Sequence, residues 1–191
     1  MAYGMDTKSG AGVIPFAVRR GVVLFLFHKT FSGSRAGHLV DFGGGGRAGE
    51  TYIQTAAREF VEETDAMFLA DSGNADFGHG YESQYRLMQR LIENTQQQHP
   101  GWFCTRAGKH RDRPRNWKTF FAEVDYRGPA GMNRAWAQDT SGRFRKRREL
   151  VWLTAGQLLD FIDNRPEGLW KRIRQYEGLR EVVTSIAGDL T

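Results

Sequence analysis

Residues 44–66 read GGGRAGETYIQTAAREFVEETDA, and the parsing of that run decides the fold. A glycine run over 43–46 gives way to residues 51–64, which have helical periodicity. Ile53, Ala57 and Phe60 fall on one side of that helix, and Glu59, Glu62 and Glu63 fall roughly opposite. The three acids stand at i, i+3 and i+4, positions that share a helical face. Carboxylates crowded together without neutralisation repel, so the pattern points to a cation between them. Oxygen ligands of this type favour Mg2+ or Mn2+. Arg58 lies four residues before Glu62 and can reach back to Glu50. That suits a structural role, with loop and acids held in register. Gly44 and Gly45, with their neighbours in the run, let the backbone approach a phosphate or a metal without a side-chain clash.

Upstream, residues 12–18 (GVIPFAV) and 22–27 (VVLFLF) are apolar runs separated by Arg19, Arg20 and Gly21, which predicts two strands and a tight turn. Residues 32–37 read as a polar loop, and 38–42 as a short extended segment entering the glycines. Downstream, residues 70–79 read as a loop. Apolar residues at helical spacing then predict an additional helix over about 80–97. Residues 102–105 suggest a short strand, 106–116 a basic loop, and 117–124 (WKTFFAEV) a strong aromatic strand. Residues 128–142 read as a Gly-bearing loop, and 150–153 as a short strand. Thr154 and Gln157 form a capping box for a helix over 156–162, and Pro166 sits near the start of a last helix over about 166–187. Strands, an acidic helix, more strands and a closing helix make an α/β (α+β) sandwich. No internal repeat or linker divides it, so the expectation is a single domain over 1–191.

Composition agrees with a folded chain: 191 residues, 40% hydrophobic and 13% aromatic. The single Cys104 rules out an intrachain disulfide and a cysteine-built zinc site, which favours a reducing compartment. No apolar run reaches membrane-spanning length, so the expectation is a soluble, cytoplasmic protein with no membrane partner. Net charge is +5, with basic residues clustered over 106–115, 143–148 and 171–174. Such clusters make a solvated surface, or attract a polyanion such as a nucleotide or an RNA 5′ end.

The run 44–66 resembles the signature of the Nudix hydrolases, Gly-x5-Glu-x7-Arg-Glu-U-x-Glu-Glu-x-Gly-U, where U is a bulky aliphatic residue. It matches at Gly44, Glu50, Arg58, Glu59, Glu62 and Glu63, with Phe60 at the first U. It departs at Asp65, which stands where the family has Gly, and at Ala66, which is small for the last U. The departure bears on the helix exit more than on the chemistry, because the family's Gly closes that helix in a left-handed conformation. The resemblance covers about residues 12–162 in outline and implies an α/β/α sandwich with a mixed sheet and a loop-helix-loop catalytic motif.

The activity implied is metal-dependent hydrolysis of a pyrophosphate bond in a nucleoside diphosphate linked to another moiety. Alternatives are action on an RNA 5′ end or cap, and a catalytically silent nucleotide-binding module. The resemblance implies Mg2+, or Mn2+, held by Glu59, Glu62, Glu63 and the backbone carbonyl of Gly43, and it allows a homodimer. Glu62 or Glu63 can activate the water. Glu149, Glu123 and Asp139 are candidates from other segments. Lys118 and Arg145, with Arg143 and Arg147, are candidates for holding substrate phosphates beside Gly44 and Gly45. Tyr81, Trp102, Phe120 and Trp136 can stack on a base or pack in a core, and Phe120 reads as core. The five histidines have no metal-ligand spacing and are assigned no role.

Overall fold

An apolar stretch without alternation becomes the central strand. In a computed structural model, β1 (Gly10–Arg19) is buried along its first eight residues, and β2 (Val22–Thr30) returns antiparallel to it. Burial on both faces explains why the sequence of β1 runs apolar without alternating. The pair Arg19↔Val22 leaves Arg20 and Gly21 as a two-residue turn, with φ of 52° and 75°. Paired positive φ values are those of a type I′ hairpin. The structure describes residues 9–70, 80–106, 109–110, 113–114 and 116–190.

The remaining strands are β3 (Phe42–Gly45), β4 (Phe103–Arg106), β5 (Lys109–His110), β6 (Arg113–Pro114), β7 (Trp117–Glu123) and β8 (Arg148–Thr154). The main sheet has the order β4-β7-β1-β2-β8, with β3 paired to β1. β1 and β7 run parallel and every other pair in the sheet is antiparallel, so the sheet is mixed. β5 and β6 pair only with each other.

Helices cover both faces. α1 (Tyr52–Glu63), α2 (Gly80–Gln98) and α3 (Ala130–Gln138) bury one core against the sheet, with Phe42, Phe60, Phe68, Met88, Ile92 and Trp136 in it. α4 (Ala155–Asn164) and α5 (Leu179–Asp189) close the other, around Phe16, Phe25, Phe121, Leu158 and Ile186. Each fully buried phenylalanine contributes about 1.5–3 kcal/mol of transfer free energy. The result is an α+β fold, a mixed sheet between two helical layers.

Two segments differ from the sequence expectation. Residues 128–142 hold a helix, α3, rather than a loop. Its cap, Pro129, makes no side-chain cap bond, so no start signal marks it. The last helix begins late. Residues 166–175 form two short 3-10 turns, because Leu169 bridges Leu39 and Glu177 bridges Thr105. Only after Gly178, in a left-handed conformation at φ 79°, does α5 start. The expected basic loop over 106–116 contributes β5 and β6, and the loop expected over 70–79 lies outside the described residues beyond Ala70. Among the described residues, no helix is long and apolar enough to cross a membrane.

Candidate active site

The site is built where β3 meets α1. A capping box starts α1: Gln54 N–H donates to Thr51 Oγ1 at 3.2 Å, and Thr51 N–H donates to Gln54 Oε1 at 2.8 Å. Ala56, Ala57, Phe60 and Val61 bury its inner face, with the Phe60 ring 4.8 Å from that of Phe42. These contacts fix the helix rotation, and the rotation turns its acids toward a cleft of about 550 Å³. Glu59, Glu62 and Glu63 line that cleft together with Arg47, Asp65, Tyr81, Arg145, Lys146 and Arg148.

Arg58 is buried and organises the acids. Its Nε donates to Glu50 Oε1 at 2.7 Å, and its Nη2 donates to Glu50 Oε2 at 3.0 Å and to the Gly45 carbonyl at 2.8 Å. Its Nη1 donates to Glu59 Oε1 at 2.7 Å and to Glu62 Oε2 at 3.1 Å. One guanidinium thus ties glycine loop, Glu50 and two acids of α1 together. Burial raises the Glu50 carboxyl, but hydrogen bonds from Arg58, the Arg47 N–H and Thr55 outweigh it and hold it at about 2.

Gly43 and Gly44 make close contacts. Gly43 N–H donates to Glu63 Oε2 at 2.9 Å. The Glu59 carboxylate rests on Gly44, where an added Cβ would lie 2.3 Å from it. Glu63 Oε1 faces two looser cations, Arg148 Nη1 at 3.5 Å and Arg35 Nη1 at 3.7 Å. Burial pushes the Glu63 carboxyl up to about 7, against the pull of Arg148, Arg172 and the Gly43 N–H. Tyr81 donates its hydroxyl to Glu62 Oε1 at 3.3 Å, and burial followed by the Glu62 charge pushes that hydroxyl up to about 12.

The helix exit carries the departure at Asp65. Asp65 and Ala66 both have positive φ, 49° and 52°. Asp65 keeps this conformation while its Oδ2 accepts from Trp136 Nε1 at 2.7 Å, a bond a glycine cannot make. Trp136 is therefore a buried anchor in α3 and not a base-stacking surface.

Other sequence candidates lie elsewhere. Strand alternation puts Arg148, Leu150 and Trp152 on the cleft side of β8 and Glu149 on the other, across from Lys29. Lys118 projects its Nζ over the Phe103 ring at 3.8 Å and does not line the cleft. Glu123 lines a second hollow between α2 and β7. Asp139 accepts from the N–H groups of Ser141 and Phe144. Phe120 and Trp102 are buried core residues, and Arg147 stacks on Phe31 outside the cleft.

Several functional neighbours carried no sequence signal. Asp41, fully buried, accepts from Arg172 Nη2 at 2.6 Å and from the Tyr176 hydroxyl at 2.5 Å, across more than a hundred residues of chain. Arg172 also donates to the Gly43 carbonyl at 3.3 Å, so that oxygen already faces a cation. His28 is buried beside Arg148, its Nδ1 3.3 Å from Arg148 Nη1 and its Nε2 without a partner among the described residues. Arg148 itself was findable: it shares strand parity with Leu150 and Trp152.

The donor set suits a hard divalent cation, since three carboxylates share one cleft. As the side chains stand, no three acidic, histidine or cysteine groups among the described residues converge as a metal site. Glu59 and Glu62 converge on Arg58 Nη1 instead.

No family model matches the chain, and neither does any curated protein. Among solved structures, the chain is similar to a C. elegans Ap4A hydrolase at 15% identity, over 97% of this chain and 100% of that one, with a TM-score of 0.48. It is similar to RenU, a Nudix hydrolase from M. smegmatis, at 15% identity, over 96% and 90% of the two chains, with a TM-score of 0.47. A NUDIX hydrolase from Alicyclobacillus acidocaldarius is 11% identical over 96% and 92%, with a TM-score of 0.49. All three TM-scores lie below 0.5.

Proposed function

We propose that the chain is a metal-dependent hydrolase of the pyrophosphate bond in a nucleoside diphosphate linked to another moiety. One observation carries the reading: Glu59, Glu62 and Glu63 share a single cleft with Arg145, Lys146 and Arg148. Acids that suit a divalent cation then lie beside bases that suit phosphate oxygens, which is what a metal-bound diphosphate requires. When bound, Mg2+ or Mn2+ neutralises charge on the phosphates and lowers the pKa of a bound water. Glu59, Glu62 and Glu63 would hold it, with the Gly43 carbonyl already engaged by Arg172. Arg58 keeps Glu59 and Glu62 in place, and the Gly43 N–H keeps Glu63 in place. Glu62 or Glu63 takes the proton of the attacking water. Arg145, Lys146 and Arg148 orient the phosphates.

The test is hydrolysis of a panel of nucleoside diphosphate derivatives with Mg2+ and Mn2+, in the parent, Glu62→Gln and Glu63→Gln. Each substitution should lower kcat by about 100-fold or more. Full activity in both variants rejects the reading. A second reading, a nucleotide-binding module without turnover, draws support from the arginines that already occupy all three carboxylates. Tight nucleotide binding with no product under either metal would establish it.

A further inference from the structure

Asp65 is a departure from the signature that the hydrolase reading leaves idle. It lines the cleft, and its φ of 49° is one that glycine adopts without strain. The helix exit does not depend on its carboxylate. Thr64 N–H donates to the Phe60 carbonyl at 2.9 Å, Ala66 N–H to the Val61 carbonyl at 2.9 Å, and Gln84 Nε2 to the Ala66 carbonyl at 2.6 Å. The carboxylate is taken up by Trp136, whose Nε1 donates to Oδ2 at 2.7 Å from 71 residues further along the chain.

Trp136 leads to the basic loop between α3 and β8. It is buried, and the Phe144 ring stands T-shaped to it with centroids 6.3 Å apart. Asp139 folds the chain between the two. Its Oδ1 accepts from Ser141 N–H at 3.0 Å and from Ser141 Oγ at 2.7 Å, and its Oδ2 accepts from Phe144 N–H at 2.9 Å. Arg145 and Lys146 follow Phe144 directly and line the cleft. Neither forms a salt bridge with an acid among the described residues, so the loop itself must place them. An unbroken set of contacts thus runs from the exit of α1 to two cations of the cleft.

We propose that Asp65 is a positioning residue for substrate: through Trp136 and Phe144 it fixes the loop that holds Arg145 and Lys146 against the phosphates. The inference rests on the hydrolase reading for the identity of the anion in the cleft. The two are separable, because anion binding is measured without metal or turnover.

Charge alone predicts the opposite sign. Removal of a carboxylate from a cleft that takes an anion should tighten that anion. Asp65→Asn and Asp65→Gly remove the same charge, but Asn keeps an acceptor for Trp136 and tolerates a positive φ, whereas Gly offers no side chain.

The indole N–H signals of the five tryptophans are followed in proton–nitrogen correlation spectra, with Trp136→Phe as the assignment. The Trp136 signal should move upfield in Asp65→Gly by more than in Asp65→Asn. ADP is then titrated calorimetrically in EDTA. Asp65→Asn should bind it at least as tightly as the parent, and Asp65→Gly about tenfold more weakly than Asp65→Asn. Trp136→Phe, which keeps the Asp65 charge, should bind it about tenfold more weakly than the parent. Asp65→Gly combined with Trp136→Phe should bind as Asp65→Gly does, because both cut the same link. The difference between Gly and Asn should narrow as salt rises, since Arg145 and Lys146 are exposed and screened. With Mg2+ and a substrate that is hydrolysed, Asp65→Gly should raise KM over Asp65→Asn in the same ratio and keep kcat within about twofold. Arg58 and the Gly43 N–H hold the acids of α1 without Asp65. An Asp65→Gly protein that binds ADP as tightly as Asp65→Asn, or a loss that is equal at every salt concentration, overturns the proposal. So does a parent that binds no ADP at millimolar concentration. A parent that binds ADP with these differences between variants, yet hydrolyses no substrate under either metal, would overturn the hydrolase reading alone.

Discussion

Alanine at three consecutive glycines of β3 should have three different consequences, because each Cβ points at something different. At Gly44 it would lie 2.3 Å from Cδ and from Oε2 of Glu59. An ordinary contact needs about 1 Å more, so the carboxylate must withdraw by about that distance. It is the far end of a flexible side chain and can move, but its 2.7 Å bond from Arg58 breaks. Arg58 keeps Glu50 and Glu62, so the stability loss should stay near 1 kcal/mol. Displacement of a functional group by about 1 Å costs about 100-fold in rate. At Gly43 the Cβ would meet the Ala11 carbonyl and Gly12 Cα, both at 2.7 Å. Those are backbone atoms of the central strand and cannot swing aside. Gly43→Ala should therefore cost about 1–3 kcal/mol and lower Tm by several degrees. At Gly45 no heavy atom lies within 4 Å, so Gly45→Ala should fold and turn over like the parent.

Urea unfolding and Mg2+-dependent nucleotide hydrolysis, measured on all three variants, separate these outcomes. The reasoning is refuted if Gly44→Ala keeps full kcat, or if Gly45→Ala loses as much activity as Gly44→Ala. Equal destabilisation at Gly43 and Gly45 would refute the packing part alone.

Arg172→Met leaves Asp41, fully buried, with an uncompensated charge, and should destabilise the fold by about 3–5 kcal/mol in urea. A loss under about 1 kcal/mol would show that the hydroxyls of Tyr176 and Thr119, which donate to Asp41 Oδ2 at 2.5 and 3.5 Å, satisfy Asp41 unaided. His28 gives a pH prediction. Burial first, then Arg148, Arg172, Arg35 and Lys146, hold its imidazole well below the usual 6.5. The unfolded chain therefore takes up a proton below about pH 6.5 that the folded chain refuses. Stability falls there by up to about 1.4 kcal/mol per pH unit as pH drops. Glu63, raised to about 7, acts with the opposite sign between about pH 4.5 and 7, losing stability as pH rises. The advantage of the parent over His28→Leu should therefore shrink from pH 7 to pH 5, and a constant difference in urea midpoints would count against it.

The parts of the fold legible in the sequence were those with a local cause. The β1–β2 hairpin has two apolar runs around Arg20 and Gly21, and α1 has its periodicity and a Thr51–Gln54 capping box. α4 was announced by Thr154 and Gln157. α3 was not: Ala, Met, Arg and Gln favour a helix, but Gly131 and Asn133 stand in its first turn and no side chain caps it, so nothing marks a start. The final segment carried helical spacing, but bridges from Leu169 and Glu177 to distant strands override it before Gly178. At the site, Arg58, Glu59, Glu62 and Glu63 stood in one motif, whereas the cations around them are spread over four stretches of chain. Arg47 lies inside the motif run, Arg145 stands in a basic cluster and Arg148 has the strand parity of Leu150 and Trp152, but Arg35 and Arg172 reach Glu63 and the Gly43 carbonyl only through tertiary folding, which no spacing in the chain announces.

Those cations also decide between turnover and silent binding, because they are not held equally. Arg58 is 6% exposed and bonds Glu50 and Glu59 at 2.7 Å, so no ion displaces it without breaking the loop. Arg47 is 65% exposed and reaches Glu62, itself 36% exposed. Such a pair is worth about 0–1 kcal/mol, while charge-dense divalent ions bind carboxylates more strongly than a solvated guanidinium does. At Glu63 Oε1 the arginines stand off at 3.5 and 3.7 Å, beyond a good hydrogen bond. The cluster is thus open at Glu62 Oε1 and Glu63 Oε1 and closed at Arg58. Arg47→Gln should then tighten Mn2+ binding by up to about fivefold, the equivalent of 1 kcal/mol, as read by calorimetric titration of the nucleotide-free protein. Glu62→Gln should weaken it in the same titration. A parent and an Arg47→Gln variant that both fail to bind Mn2+ at millimolar concentration would mean that the arginines, and not a metal, are the permanent partners of these carboxylates.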